Sequence, residues 1–356
     1  MSTSNDSSKA ELNIQIHSPV RRNESTKERL FGRQSSFSSD RLDLTSNDVS
    51  FAAGKNTWWI WGGSKYSGVL CMVISSVAYS FMGLFVKLLS VSGVPSSETV
   101  LCRCAVVAIL AGAGLKKMRH PLLGSPKVRR LVLARAIVGY FALSTYFYSI
   151  QLLPLRDATV LNFTMPIFTA ILAALLLNER WGLPEAVGTF FGFLGVVLVS
   201  QPHFIFPGGE TINSTNTTYV GIVAAILGSS LGALSYIIVR AVGRLGEPPL
   251  VCVFAFAAMS VPFSAVAMFF QGLKVPSPLE AAGLLMVGLT AFTAQVFLTR
   301  GLQLENAAKA SALQYLKVIC TYLLGVAFLG ETPSLVSLLG ALFIAGSAFS
   351  LTQSKG

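Results

Sequence analysis

The sequence predicts an all-α polytopic membrane protein, ten transmembrane helices set as two five-helix halves of opposite orientation. Three observations predict it. The 356-residue chain is 53% hydrophobic and only 12% charged, about half the charged share of a soluble protein, which is too little charge to clothe a water-facing surface. Its apolar residues gather into runs of bilayer length. One of those runs returns, with its polar residues in register, 152 positions further on.

A hydrocarbon core about 30 Å thick needs roughly 20 apolar residues in a helix, because the segment must satisfy its own backbone donors and acceptors. Such runs lie near residues 69–89, 97–114, 131–153, 158–177, 183–200, 219–239, 250–270, 279–299, 307–329 and 334–352. The second and fifth are the closest to the minimum length.

The net charge of +11 invites a nucleic-acid partner, yet the cations sort by side of the membrane. With the N-terminus inside, the inner loops hold Lys116, Lys117, Arg119, Lys127, Arg129, Arg130, Arg180, Arg240, Arg244, Arg300 and Lys309; the outer ones hold Lys87, Arg156 and Lys274. This positive-inside bias places both termini in the cytosol. It accounts for the charge with membrane lipid, and no nucleic acid, as the partner; the plasma membrane or an endomembrane is the expected location. The outer loop 201–218 lacks Lys and Arg and carries Asn213 in "NST" and Asn216 in "NTT", both acceptor patterns for N-glycosylation.

Residues 1–65 are rich in Ser, Asn, Asp, Lys and Arg and hold too few aliphatics to offset the entropy of ordering. A disordered cytosolic tail is expected there, followed by a first half over 66–203, an external loop over 204–218 and a second half over 219–356. The tail opens without the apolar core of a signal peptide. Ser35 and Ser36 follow Arg33 in a context that suits basophilic kinases, against the alternative of an unmodified solvated tail. The "WWIW" at Trp58 to Trp61 suits the headgroup level. Cys71, Cys102, Cys104, Cys252 and Cys320 all fall in apolar runs without a C-x-x-C pair. That is the pattern of small buried hydrophobes, so no metal or cofactor is expected.

Shifting the chain by 152 residues aligns Gln151 with Gln303, Ala158 with Ala310, Asn162 with Gln314, Thr169 with Thr321, Glu179 with Glu331 and Gly188 with Gly340. Five spans separate the equivalents, an odd number, so the two copies point opposite ways. Transporters built on such inverted repeats hold substrate near the midplane, between the halves. Chance matching among Ala, Gly and Thr is the competing reading.

Groups that are costly at bilayer depth, about 2.5 to 3.5 kcal/mol for a central Lys or Arg, point to function. Lys317 lies about ten residues into the ninth run, too deep to snorkel, so an aqueous path or a partner is expected to face it. Arg103 and Arg135 sit nearer the ends of spans two and three, where snorkelling competes with facing the path. Asn162 and Gln314, with Thr169 and Thr321 seven residues further on the same faces, are candidates to line it; a lattice of helix–helix hydrogen bonds is the alternative. Pro166 removes a donor and frees the Asn162 carbonyl, so span four is expected to bend there. Tyr79, Tyr140 and Tyr236 either stack a cyclic substrate or simply pack. Glu98, Asp157, Glu185 and Glu305 fall near span ends, where contact with water or headgroups is expected; Glu98, near Arg103, is the candidate for proton coupling. The "GTFFG" from Gly188 to Gly192 and the "GSSLG" from Gly228 to Gly232 let backbones approach closely, within the chain or across a homodimer.

The run "LPLRDATVLNFTMPIFTAILAALLLNER", followed by "GTFFGFLGVVLV", and the five-plus-five pattern over about residues 66–353 resemble the EamA-type drug/metabolite transporters. The chain is most similar to the G-type members of solute carrier family 35, in which a similar L-x-x-A-D-A-T-V-I leads into the fourth span. The resemblance implies a secondary transporter of a small organic solute. Family members that carry phosphorylated or nucleotide sugars have basic residues near the place of Lys317, usually two together. Val318 follows it here, so a carboxylate or other small organic anion fits as well as a phosphate. A buried cation favours exchange, since an empty carrier would move an uncompensated charge. A membrane-embedded regulator signalling through its tail is the alternative. An enzyme is not expected, for the spans pair no nucleophile with a base and hold no phosphate-cradling loop.

Overall fold

The computed structural model describes residues 64, 66–179, 182–202, 205, 215–271, 276–329 and 334–353. Its elements are α1 (Ser67–Val91), α2 (Ser96–Lys117), α3 (Arg129–Leu152), α4 (Leu155–Asn162), α5 (Met165–Leu177), α6 (Leu183–Ser200), α7 (Thr215–Arg244), α8 (Pro249–Gln271), α9 (Pro278–Leu304), α10 (Ala307–Leu313), α11 (Leu316–Leu329) and α12 (Leu335–Gln353). With α4–α5 and α10–α11 each taken as one crossing, the described residues contain ten helical segments long and apolar enough to span a membrane. The two shortest runs are among them, as α2 with 22 residues and α6 with 18. Ser35, Ser36, Trp58, Asn213 and Glu331 lie outside the described residues, and Asn216 falls in the first turn of α7.

Local chemistry sets several boundaries. Ser277 and Glu280 form a reciprocal capping box ahead of α9, with Pro278 in the first turn, where its missing N–H costs nothing. Asn178 ends α5 in a left-handed conformation, φ 52°, which Asn tolerates better than most residues. At the lipid-facing surface, Phe190, Phe269, Leu279, Leu335 and Phe349 are exposed, as a hydrocarbon solvent allows. Met72, Val107, Leu115, Val132, Leu302, Leu313 and Tyr315 fill the interior.

The most extensive pairings are α1 with α9, α3 with α7, α6 with α12 and α2 with α8. The two ends of the bundle are told apart by what meets there. At one end α1 begins beside Glu305, Ser125 donates its N–H to Glu247 at 3.1 Å, and Glu179 meets Arg240 and Arg244. At the other end Gly221 near the start of α7 meets Leu153, and Gln201 donates to Ser334 at 2.9 Å.

Four expectations need correction. Lys87, Lys116, Lys117, Arg129, Arg130, Arg156, Arg240, Arg244, Arg300 and Lys309 are not in loops but in helices; all but Lys87 and Lys309 lie where the helices run past the apolar runs. Glu98, Asp157 and Glu185 are buried, at 3%, 2% and 5% exposure, because neighbouring helices cover the span ends. Glu305 is not left to the solvent; it pairs with Lys309 at 3.2 Å. Span four is not one bent helix but two helices, as described below.

Both glycine spacings are used within the chain. A Cβ on Gly188 would strike Leu351, one on Gly192 would strike Tyr315, one on Gly228 would reach Thr145 and one on Gly232 would strike Met165. Gly195 and Gly340 bring α6 and α12 together backbone to backbone, such that a Cβ on either would lie 2.6 or 2.7 Å from the other's carbonyl oxygen. The Ser347 hydroxyl donates to the Gly188 carbonyl at 2.5 Å along the same seam. Gly195→Ala and Gly340→Ala are therefore expected to cost about 1–3 kcal/mol each by overpacking, read as a lowered melting temperature of the purified protein. Gly83→Ala and Gly346→Ala, where a Cβ meets nothing within 4 Å, should leave it unchanged or slightly raised.

Candidate functional site

Two helix breaks frame the interior. α4 ends at Asn162 and α5 starts at Met165, with Pro166 in its first turn. A proline has no N–H to give, so the carbonyl four residues earlier needs another donor. The hydroxyl nearest to it is that of Ser229 on α7, 3.4 Å away, whose single proton is shared with the Leu161 carbonyl and with that of Ala225 in its own helix, each at 2.9 Å. Span nine is broken at the equivalent place without any proline. α10 ends at Leu313 and α11 starts at Leu316, and tight three-residue bonds close the gap, Lys317 N–H to the Gln314 carbonyl at 3.1 Å and Val318 N–H to that of Tyr315 at 2.9 Å. The Lys317 carbonyl accepts from the Ser80 hydroxyl of α1 at 3.1 Å. One contact ties the two breaks directly, the buried Tyr315 hydroxyl donating to the Phe163 carbonyl at 3.3 Å.

Three cations gather beside the breaks. Lys317, in the first turn of α11, holds its Nζ 5.3 Å from the centre of the Tyr79 ring and 6.0 Å from that of Phe163. The Arg135 guanidinium of α3 lies 4.9 Å over the Phe256 ring of α8. Gly139, one turn along α3, leaves room for it, since a Cβ there would collide with Nη1. Arg103 of α2 is within electrostatic reach of Lys317 and Tyr79, and Tyr236 of α7 is within reach of Tyr79 and Arg135. Among the described residues no carboxylate comes within 4 Å of these three cations. Arg103 Nε, Arg135 Nε and Nη1, and Gln314 Nε2 are occluded without a hydrogen-bond partner. Contacts with ring faces, worth about 0.5–2 kcal/mol each, fall short of the several kcal/mol that burying each ion costs. The arrangement is a partly buried set of donors, several of whose nitrogens are closed off from water, and it suits negative charge.

The other candidates are placed as follows. Asn162 and Gln314 sit at the two breaks. The Thr169 hydroxyl bonds its own helix at the Met165 carbonyl, 2.8 Å away, whereas that of Thr321 bonds Ser80 of α1 at 3.1 Å. Tyr140 stacks on Phe263 with ring centres 4.2 Å apart. Glu98 makes no ion pair with Arg103 among the described residues, and its Oε2 is occluded and unpartnered. A separate groove of about 420 Å³ runs between α6 and α12, lined by Val187, Phe191, Leu339, Leu342 and Phe343. Its apolar walls, with Phe191 and Phe343 stacked at 5.8 Å, lack the chemistry of the interior cluster.

Ten spans, two of them broken side by side, with cations nearby that meet no carboxylate among the described residues, are the frame of a polytopic carrier. The comparisons with known proteins agree. The model of the EamA-like transporter family matches residues 66–201 and again 219–353, and the chain belongs to that family. It is 30% identical to solute carrier family 35 member G1 of Mus musculus over 291 residues, 80% of this chain and 78% of that protein. It is 29% identical to the pseudopaline exporter CntI of Pseudomonas aeruginosa over 297 residues, 81% of this chain and 97% of that one. One crystal structure shares the fold, with a TM-score of 0.67 at 19% identity over 81% of this chain and 96% of that one.

Removing the donor at the break in span four isolates its contribution. Ser229→Ala takes away the hydroxyl nearest the Asn162 carbonyl, while that of Leu161 keeps the Thr164 N–H and hydroxyl, and should cost about 1 kcal/mol in thermal stability. Ser230→Ala, whose hydroxyl bonds only Ile226 in its own helix, should cost nothing measurable.

Proposed function

We propose that this transporter carries a small organic anion by alternating access between two inverted five-helix halves, with exchange of one anion for another as the favoured mode. The observation that carries the reading is the convergence of Arg103, Arg135 and Lys317, with no acidic partner among the described residues, beside the breaks in spans four and nine. Several features support the halves. The family model matches the chain twice; α1 and α7 begin at opposite ends; and the pairing of α1 with α9 answers that of α3 with α7 when the halves are exchanged.

An anion between the cations would take charge-assisted hydrogen bonds from Arg103, Arg135 and Lys317, with the Gln314 amide and the Tyr79 and Tyr236 phenols as further donors. Such bonds are about twice as strong as neutral ones. Without the anion, reorientation would carry three mutually repelling charges through low-dielectric surroundings; with it, most of that charge is offset. The loaded carrier reorients more easily, which is the condition for exchange. With the charge bias as the guide to orientation, both termini lie in the cytosol. Glu98 is buried and makes no ion pair with the three cations among the described residues, so this reading leaves it outside the anion's path.

The test is counterflow in proteoliposomes, with organic anions, cations and neutral solutes compared. Saturable uptake of an anion, accelerated by anion loaded inside, is the expected result; uptake confined to neutral or cationic solutes sinks the reading. Lys317→Gln and Arg135→Gln should each weaken apparent affinity by about tenfold to a hundredfold, the size of a lost hydrogen bond to a charge. Tyr140→Phe, outside the cluster, should leave it unchanged.

A further inference from the structure

At the end of the bundle where α1 begins, one carboxylate holds several segments together. Glu179 follows α5 by two residues, and the left-handed Asn178 turns it back over the helix end. Its side chain is 6% exposed. Oε1 accepts from Arg240 Nε at 2.9 Å and from Arg244 Nη2 at 2.6 Å, both from the last turns of α7. Oε2 accepts from the backbone N–H of Ala307, the first residue of α10, at 2.8 Å. The arginines extend the cluster. Arg240 also donates to the Gln303 carbonyl at 2.6 Å, and Arg244 to the Leu177 carbonyl at 3.2 Å.

We propose that Glu179 is the latch of this entrance to the path, the group whose release lets spans four and nine part at this end. The placement makes it so. Span four ends in Glu179 and span nine begins at Ala307, and these are the two broken spans that flank the cation cluster. Among the described residues Glu179 is the carboxylate that joins them at this end. The joint is strong enough to hold, being nearly dry and served by three donors, two of them guanidinium groups. It is also reversible, because each partner has a replacement in water once the end opens. Two neighbouring carboxylates at this end have partners of their own, Glu305 in Lys309 at 3.2 Å and Glu247 in Ser125 and His120. The word path rests on the transport reading above, but the latch is tested without a substrate.

The experiment is electron-electron double resonance on the full chain in nanodiscs, with spin labels at Leu183 and Leu245, both exposed at this end, and a second pair at Val91 and Leu335, exposed at the other. Glu179→Gln keeps the shape and removes the charge. The expected result is a longer-distance population at the first pair, its fraction raised about tenfold or more, with the second pair unchanged or shorter. Arg244→Gln, which removes a half-exposed partner, should raise the same population roughly threefold and serves if Glu179→Gln fails to fold. Unaltered distances at the first pair in either folded variant overturn the latch. Loss of flux with unaltered distances counts against it too, whereas opening in a protein for which no substrate is found still supports it.

Discussion

A helix interrupted inside hydrocarbon has nowhere to send its freed carbonyls except to its neighbours. That constraint organises the interior of this protein. Span four's break has a hydroxyl of α7, that of Ser229, beside its carbonyls, and just past the break in span nine the Lys317 carbonyl takes a second bond from Ser80 of α1. The serving helices are thereby fixed against the breaks, and the breaks in turn aim Lys317 and Gln314 inward. The polar interior is thus a consequence of backbone bookkeeping as much as of the charges it holds.

Around that interior the packing is done by small residues. Backbone contact between Gly195 and Gly340 draws α6 against α12, and Gly139 opens a slot for a guanidinium between α3 and Phe256. Glycine serves two opposite purposes here, closing one gap and keeping another open. Both follow from the absence of a Cβ, and in an apolar solvent both matter more than helix propensity, because close van der Waals contact is a main source of association between spans.

The ten crossings were legible in the sequence because length and apolarity are the physical requirements of a span, and the helices found run a few residues beyond the apolar runs at most ends. Lys317, Arg103 and Arg135 were legible as costly groups, since a charge at depth stands out in any apolar run. The break in span four was half legible, because Pro166 announces a missing donor but not whether the helix bends or parts. The break in span nine had no such marker. Its cause is tertiary, Tyr315 and Ser80 holding the backbone in place, and no local propensity encodes that; only the register of Phe163 with Tyr315 could have drawn attention to it. Ser229, one serine among many in apolar runs, carried no signal at all. Burial of Glu98, Asp157 and Glu185 escaped for a related reason, as position along a span gives depth but not what lies alongside.

The bond from Tyr315 to Phe163 runs in one direction, for a phenyl ring has no hydroxyl to return it. The two broken spans are therefore alike in outline but not in bonding. If the carrier alternates between two poses as proposed, a single unreciprocated strut of this kind makes those poses unequal in energy, and the carrier at rest then has a preferred side.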